Sequence, residues 1–444
     1  MSRTAERREQ ILRAAVEQGL LDPGTAVLAG FVDLDGIAGS VAALHGAFPD
    51  GLPVRHAFAA KANCLIPVLE ELRLNGMGCE VASAGELAQA LAAGFDPADI
   101  VYDAPAKTRA ELEQALRLGV AVNADSFQEL ARIDRLLAAR PSASRLGIRV
   151  NPQIGGGAIA AMSTATSTSK FGIPLEDPGN RRRLLDAYRD RPWLTWVHTH
   201  VGSQGCPLDL IAQGIARTVE FAEEINETLG RRQVVGIDIG GGLPVNFRSD
   251  EVTPGFDAYA DRLRAHAPAL FTGAYEIVTE FGRSLLAKNG FTAAYVEYTK
   301  TVGGRPVAIT HAGAQVATRT VFAPDAWPLR VDAHDARGAA KHGRTTRQDV
   351  AGPCCFAGDL LARNRPLPLL GVGDIVVLPD TGAYYFSTPF HYNSLPEPAV
   401  HGVRVDAAGR VTFRLIRPAQ TVEQLLAAAG TRPLSAAAPA LPVS

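Results

Sequence analysis

Lys61 closes an apolar run, His56-Ala57-Phe58-Ala59-Ala60-Lys61, and is followed by Ala62-Asn63 and a helical pattern. The run has the length and composition of a buried strand, which puts the lysine at a strand's C-terminal end. Burial disfavours the ammonium form, and a neutral amine can form a Schiff base with a carbonyl. A side chain that leaves the strand end for solvent would read the same in isolation. The polar residues at the ends of the other strands separate the two readings.

Glu80 lies in the second such strand. His198 and His200, in His198-Thr199-His200-Val201-Gly202-Ser203-Gln204, end the sixth. At i, i+2 the two rings point the same way on a strand. No third ligand at a characteristic spacing supports a metal there. An imidazole stacked on an aromatic cofactor is an equally good use, with Ser203 as a hydroxyl donor to phosphate, and a plain core role stays open for His198. Gly240-Gly241-Gly242 follows the seventh strand. Consecutive glycines let backbone N–H groups approach a phosphate, and they also make a tight turn. The run is neither a GxGxxG fingerprint nor a P-loop. Glu280-Phe281-Gly282-Arg283 ends the eighth strand with an acid and a base. They could pair internally, or serve as a carboxylate facing a ring nitrogen and a guanidinium reaching a phosphate. Gly352-Pro353-Cys354-Cys355-Phe356-Ala357-Gly358-Asp359 leads from a turn to thiols and an acid. A cysteine there can donate a proton or fill apolar space. In Asp380-Thr381-Gly382-Ala383-Tyr384-Tyr385 the tyrosines follow a strand and a turn.

These residues need elements to hold them. Apolar, β-branched runs at residues 55–61, 78–83, 99–104, 121–126, 145–151, 194–202, 233–240 and 276–282 alternate with helical patterns. That rhythm predicts a TIM-like (β/α)8 barrel, whose active site lies at the C-terminal ends of its strands. A doubly wound open sheet is the competitor, and eight repeats without a switch point favour closure. After Arg283 strand-like runs dominate: 293–301, 307–310, 316–322, 345–350, 374–378 and a hairpin of 403–406 with 411–415. The domains expected are a barrel over 35–282 and a mostly β, Greek-key-like domain over 283–426, with residues 1–34 grouped with it. An Ala/Pro-rich tail, expected to be disordered, covers 427–444.

Of the 444 residues, 47% are hydrophobic and 20% charged, and the net charge is −2. Two domains fit this length, and nothing in the charge points to nucleic acid or an acidic membrane. The five cysteines are not in CxxC spacing, which suits reduced thiols in a cytoplasm. The N-terminus lacks the apolar core of a signal peptide, and no apolar run is long enough to span a membrane.

Taken in order, Ala60-Lys61-Ala62-Asn63, Glu80-Val81-Ala82-Ser83-Ala84-Gly85-Glu86, Ser169-Lys170-Phe171-Gly172-Ile173, residues 198–204, 238–242, 280–283 and 352–359, and Gly382-Ala383-Tyr384 resemble the fold-type III pyridoxal-phosphate decarboxylases. These are the family of diaminopimelate, ornithine and arginine decarboxylases. The resemblance implies pyridoxal 5'-phosphate held by Lys61 as a Schiff base, with His200 stacked on its ring and Glu80 also binding the cofactor. Ser203, Gly240, Gly241, Gly242, Arg283 and Tyr384 would bind the phosphate, and Glu280 would keep the ring nitrogen protonated. Cys355 matches a cysteine that crosses a homodimer interface to act as a proton donor. Lys61, His200, Glu280 and Cys355 would be the catalytic set, and Arg319, Phe356, Asp359 and Tyr384 the substrate contacts. No metal is implied.

Departures bear on the substrate. Members that read a distal amine place an acid directly after the cysteine, where this chain has Phe356. A phenylalanine leaves an ammonium without a partner. The family's Arg-Pro-x-Leu-Tyr segment is only partly kept, as Arg319-Thr320-Val321-Phe322, and Phe281 replaces the usual proline of Glu-Pro-Gly-Arg. The expectation is a cytoplasmic, homodimeric decarboxylase for an amino acid or amino-acid conjugate lacking the distal amine. A racemase or eliminase on the same cofactor, or a catalytically silent cofactor-binding homologue, is the alternative.

Overall fold

The computed structural model describes residues 2–430. Eight parallel strands close a barrel: Val54–Ala59, Gly78–Val81, Ile100–Asp103, Ala121–Ala124, Leu146–Asn151, Leu194–His198, Gly236–Asp238 and Glu276–Phe281. Each pairs with its neighbours in chain order, and the first pairs with the last, Glu280 opposite Ala57. A two-residue strand, Ile173–Pro174, adds to the fifth. The strands are short and almost wholly buried, which is why they read as continuous apolar runs and not as alternating ones.

Helices cover the outside, and their starts are written locally. Ser83 accepts from the Glu86 N–H, Ser126 accepts from the Glu129 N–H, and Thr108 with Glu111 forms a reciprocal capping box. Each cap fixes where a βα loop ends and thus where the rim residues sit.

The second layer is a nine-stranded sheet. Its path runs Leu360–Pro368, Thr345–Ala351, Arg305–Thr310, Gly290–Val302, Leu28–Asp33, Ala399–Val405 and Val411–Arg417, with Ile375–Pro379 and Asp332–His334 branching from it. Leu28–Asp33 lies at its centre, antiparallel to Gly290–Val302 and parallel to Ala399–Val405. The N-terminal helix Arg3–Glu17 packs Ile11, Leu12 and Ala15 against this sheet.

Three expectations change. Residues 316–322 form a helix, Ala314–Phe322, and not a strand. Its first N–H is capped by Asp359, 45 residues further on, a cap that no local pattern reveals. The strands Asp332–His334 and Leu360–Pro368 were not expected; the second carries Pro366, Pro368, an exposed Arg363 and a half-buried Arg365, features that demote a strand on sequence alone. The stretch expected as a tail begins inside the helix Val422–Ala429, and residues 431–444 lie outside the described residues.

Candidate active site

The first barrel strand runs into one tight helical turn, Ala60–Ala62, which carries Lys61. The β domain grips this turn. The Tyr384 N–H donates to the Ala62 carbonyl at 2.6 Å and the Ser387 hydroxyl to the same oxygen at 3.1 Å. Asn63 Nδ2 donates to the Gly382 carbonyl at 3.0 Å. Lys61 Nζ donates to Glu80 Oε2 at 2.6 Å. Burial opposes the Lys61 charge, but the neighbouring Glu80, Tyr384 and Glu280 outweigh it and raise the amine's pKa. Glu80 is pushed up by its own burial and pulled down by Lys61. The carboxylate is the buried member and the amine the one nearer solvent, so the shared proton rests on the amine.

The floor joins the ends of the third, sixth, seventh and eighth strands. Here Asp103, His198, Asp238 and Glu280 bring ligand-type atoms within 4.8 Å of one another. His198 Nδ1 lies 3.1 Å from Asp103 Oδ2, and its Nε2 lies 3.7 Å from Glu280 Oε2, neither with hydrogen-bond geometry. Burial pushes His198 down to about 3, so its ring is neutral at pH 7. Burial, then the neighbouring Asp238 and Asp103, drives the Glu280 carboxyl well up; burial and Asp103 do the same to Asp238. Of these four crowded groups, the Glu280 and Asp238 carboxyls favour holding protons.

His200 accepts from the Gly241 N–H through Nδ1 at 3.2 Å, which requires a neutral ring with its proton on Nε2. Burial pushes its pKa well below the ordinary value, in agreement. Gly240 and Gly242 have φ of +64° and +102°. A Cβ on Gly241 would lie 2.2 Å from the Glu280 carbonyl oxygen, so the backbone here approaches closer than any side chain would allow. The Gln204 side-chain amide clamps the Ser203 loop to the glycine loop, donating to the Val245 carbonyl at 2.8 Å and accepting its N–H at 2.9 Å.

Arg283 is buried, with its guanidinium 4.3 Å from the Tyr384 ring and 4.7 Å from Trp327. Arg319 rests on the same two rings, at 4.5 and 5.0 Å. Among the described residues neither arginine makes an ion pair, and Arg283 Nε is buried with no hydrogen-bond partner. Two cations brought together without a carboxylate suit an anion. Tyr384 holds φ of +66°, a strained conformation for a non-glycine residue.

The structure thus gathers Lys61, Glu80, His200, Glu280, the glycine turn, Arg283, Arg319 and Tyr384 around one rim. Ser203 stands on the adjoining loop, its N–H bonded to the Met162 carbonyl. Cys355 and Phe356 sit elsewhere. Cys355 is exposed, its N–H donates to Asn393 Oδ1 at 2.8 Å, and its carbonyl accepts from the Tyr392 hydroxyl. Phe356 stacks on Phe322 with centroids 5.4 Å apart and meets Tyr392 edge-on at 5.3 Å. Asp359 gives its two oxygens to the Ala314 and Cys354 N–H groups, which makes it a tie between helix and loop. Asp103, Asp238 and Trp327 were missed as site residues. For the two acids the signal was present, since both end barrel strands as Lys61 and Glu280 do. Trp327 lies in an irregular loop with no pattern to mark it.

Among the described residues buried Glu280 Oε1 has no hydrogen-bond partner, and neither has Arg283 Nε. A protonated ring nitrogen satisfies the first and a phosphate the second, so the residues present fit pyridoxal phosphate. Residues 34–287 match the model of the pyridoxal-dependent decarboxylase pyridoxal-binding domain, and the chain belongs to that family. It is 34% identical over 379 residues to the diaminopimelate decarboxylase of Pseudomonas aeruginosa, covering 85% of this chain and 86% of that one. It is 32% identical over 386 residues to that of Streptomyces coelicolor, covering 83% of both. The crystal structure of Helicobacter pylori diaminopimelate decarboxylase complexed with L-lysine superposes with a TM-score of 0.80 at 27% identity, over 93% of this chain and 98% of that one. The chain is a pyridoxal-phosphate-dependent amino-acid decarboxylase with a barrel and a separate, mostly β domain. Among the described residues no helix is long and apolar enough to cross a membrane.

Proposed function

We propose that this enzyme decarboxylates an amino acid, or an amino-acid conjugate, whose distal end is neutral or apolar, in a cytoplasmic homodimer with shared sites. When bound, pyridoxal phosphate supplies the electron sink that accepts the pair left by the departing carboxylate. The chain's residues do the rest. Lys61 would hold the cofactor, with Glu80 keeping the lysine's proton close at hand. His200 would offer a flat neutral face to the ring. Glu280 Oε1 would accept a hydrogen bond from the protonated ring nitrogen. The turn of Gly240, Gly241 and Gly242, with Ser203, Arg283 and Tyr384, would take the phosphate, and Arg319 would take a substrate carboxylate.

The observation that carries the substrate reading is the environment of Phe356. Where relatives that read a distal amine carry an acid, this chain has a phenylalanine stacked on Phe322, with Phe390 and Tyr392 completing an aromatic cluster. Phenyl faces receive apolar groups and offer an ammonium no carboxylate to pair with. The hydrogen bonds of Cys355 run to Asn393 and Tyr392 and not to the Lys61 rim, which supports its service to a second copy's site. Five free thiols support a reducing compartment.

A panel of L- and D-amino acids, scored by mass spectrometry for loss of CO2, tests this reading. It expects an apolar or neutral side chain to outrun meso-diaminopimelate, lysine and ornithine. Fastest turnover of any of those three overturns it.

A further inference from the structure

On the outer wall of the barrel the helices Arg109–Leu118 and Phe127–Ala139 flank a cavity of about 470 Å³, well away from the Lys61 rim. Arg109 and Arg117 face it from the first helix, Arg132 and Arg135 from the second, and Arg140 from the turn that follows. Among the described residues Glu113 is the lone acid lining it. It stands one turn from both Arg109 and Arg117, yet among the described residues none of the five arginines makes an ion pair within 4.0 Å. In a chain of net charge −2 this groove carries a local charge of about +4.

Five unpaired guanidiniums around one concavity repel one another, and a multivalent anion relieves that repulsion. Arginine's planar fork matches phosphate oxygens two at a time. The walls are fixed. Arg132 Nη1 donates to the Lys107 carbonyl at 2.9 Å, and the Ser142 hydroxyl donates to the Leu116 carbonyl at 2.6 Å, holding the turn after the second helix against the end of the first. Leu116 and Leu136 supply an apolar patch beside the charges. The size suits a small ligand and not a long polymer, since pockets of roughly 300–1,000 Å³ enclose small molecules.

We propose that this groove is a second binding site, for a small compound carrying several phosphates. Nothing in this site takes part in the chemistry at Lys61, so the proposal stands apart from the reading of the substrate.

The test is calorimetric titration of the full-length holoenzyme, at about 0.15 M salt, with inorganic tripolyphosphate and, separately, ATP. Saturable binding of one ligand per chain is expected. The Arg117→Gln/Arg135→Gln variant should weaken it by at least about tenfold, the loss of two charge-assisted hydrogen bonds. Arg117→Lys/Arg135→Lys, which keeps charge but loses the fork, should weaken it less and guards against misfolding as the cause. Decarboxylation should be unchanged in both. Tighter ATP binding would identify a nucleotide using the leucine patch; equal binding would identify the phosphate chain alone as the ligand. Absence of saturable binding by either probe, or full affinity in the double glutamine variant, overturns the proposal.

Discussion

Lys61 Nζ lies 2.6 Å from Glu80 Oε2, an ion pair whose lysine side chain is 43% exposed and whose carboxylate is 1% exposed. The pairing raises the amine's pKa, with burial opposing it, so the lysine must release a proton before it can bond a carbonyl. Glu80→Gln removes the raising charge, and more amine is neutral at a given pH. The rate of holoenzyme formation from apoenzyme and pyridoxal phosphate, followed against pH, should shift towards lower pH. An unmoved profile would show that Glu80 does not hold the proton.

Among the described residues Glu280 Oε1 is buried without a hydrogen-bond partner, and the proposed role gives it a ring nitrogen. Glu280→Gln exchanges a charge-assisted hydrogen bond for a neutral one, a loss of about 1–1.5 kcal/mol in the step that needs it. Steady-state kinetics should show kcat lower by about 5- to 10-fold while the cofactor stays bound. Wild-type kcat with normal cofactor content would remove Glu280 from that role.

The barrel was legible in the sequence because buried parallel strands leave unbroken apolar runs, and the rim because its polar residues close those runs. Lys61, Glu80, His200, Gly240 and Glu280 all fall there. What escaped depends on distant partners. The helix Ala314–Phe322 is rich in β-branched residues, and its cap comes from Asp359. Asp103 and Asp238 became site residues only when barrel closure crowded them against His198 and Glu280. Asp359, read as a substrate contact, is spent on two backbone N–H groups.

Gly241→Ala tests the glycine turn. Its Cβ would meet the Glu280 carbonyl oxygen at 2.2 Å, a backbone atom that cannot step aside. Overpacking of this kind costs about 1–3 kcal/mol, and the displaced turn should also bind phosphate more weakly. Urea unfolding and a cofactor titration should both move; an unchanged cofactor affinity would place the phosphate elsewhere.

Asp125, which accepts the Gly172 N–H at 3.0 Å, is pushed up to about 6 by burial against the pull of Arg149. Because its folded pKa exceeds the unfolded one, the stability it contributes is present at acid pH and is lost as pH rises through about 6. Asp125→Asn should therefore gain on wild type by roughly 1–2 kcal/mol between pH 4 and pH 8, after allowance for solvent screening. Denaturant unfolding at the two pH values measures it; an equal difference at both would contradict the sign.

Phe356→Glu restores an acid beside Cys355. Relative kcat/KM should shift towards substrates with a distal amine, as measured by CO2 release from lysine and meso-diaminopimelate against an apolar amino acid. No shift would show that this position does not read the side chain.

Borohydride reduction of the purified holoenzyme, followed by peptide mass spectrometry, tests the role of Lys61 most directly. Loss of the cofactor's visible absorbance band and a pyridoxyl group fixed on Lys61 are expected, with no label in Lys61→Ala. A label on another lysine, or none on a protein that carries the cofactor, would contradict it.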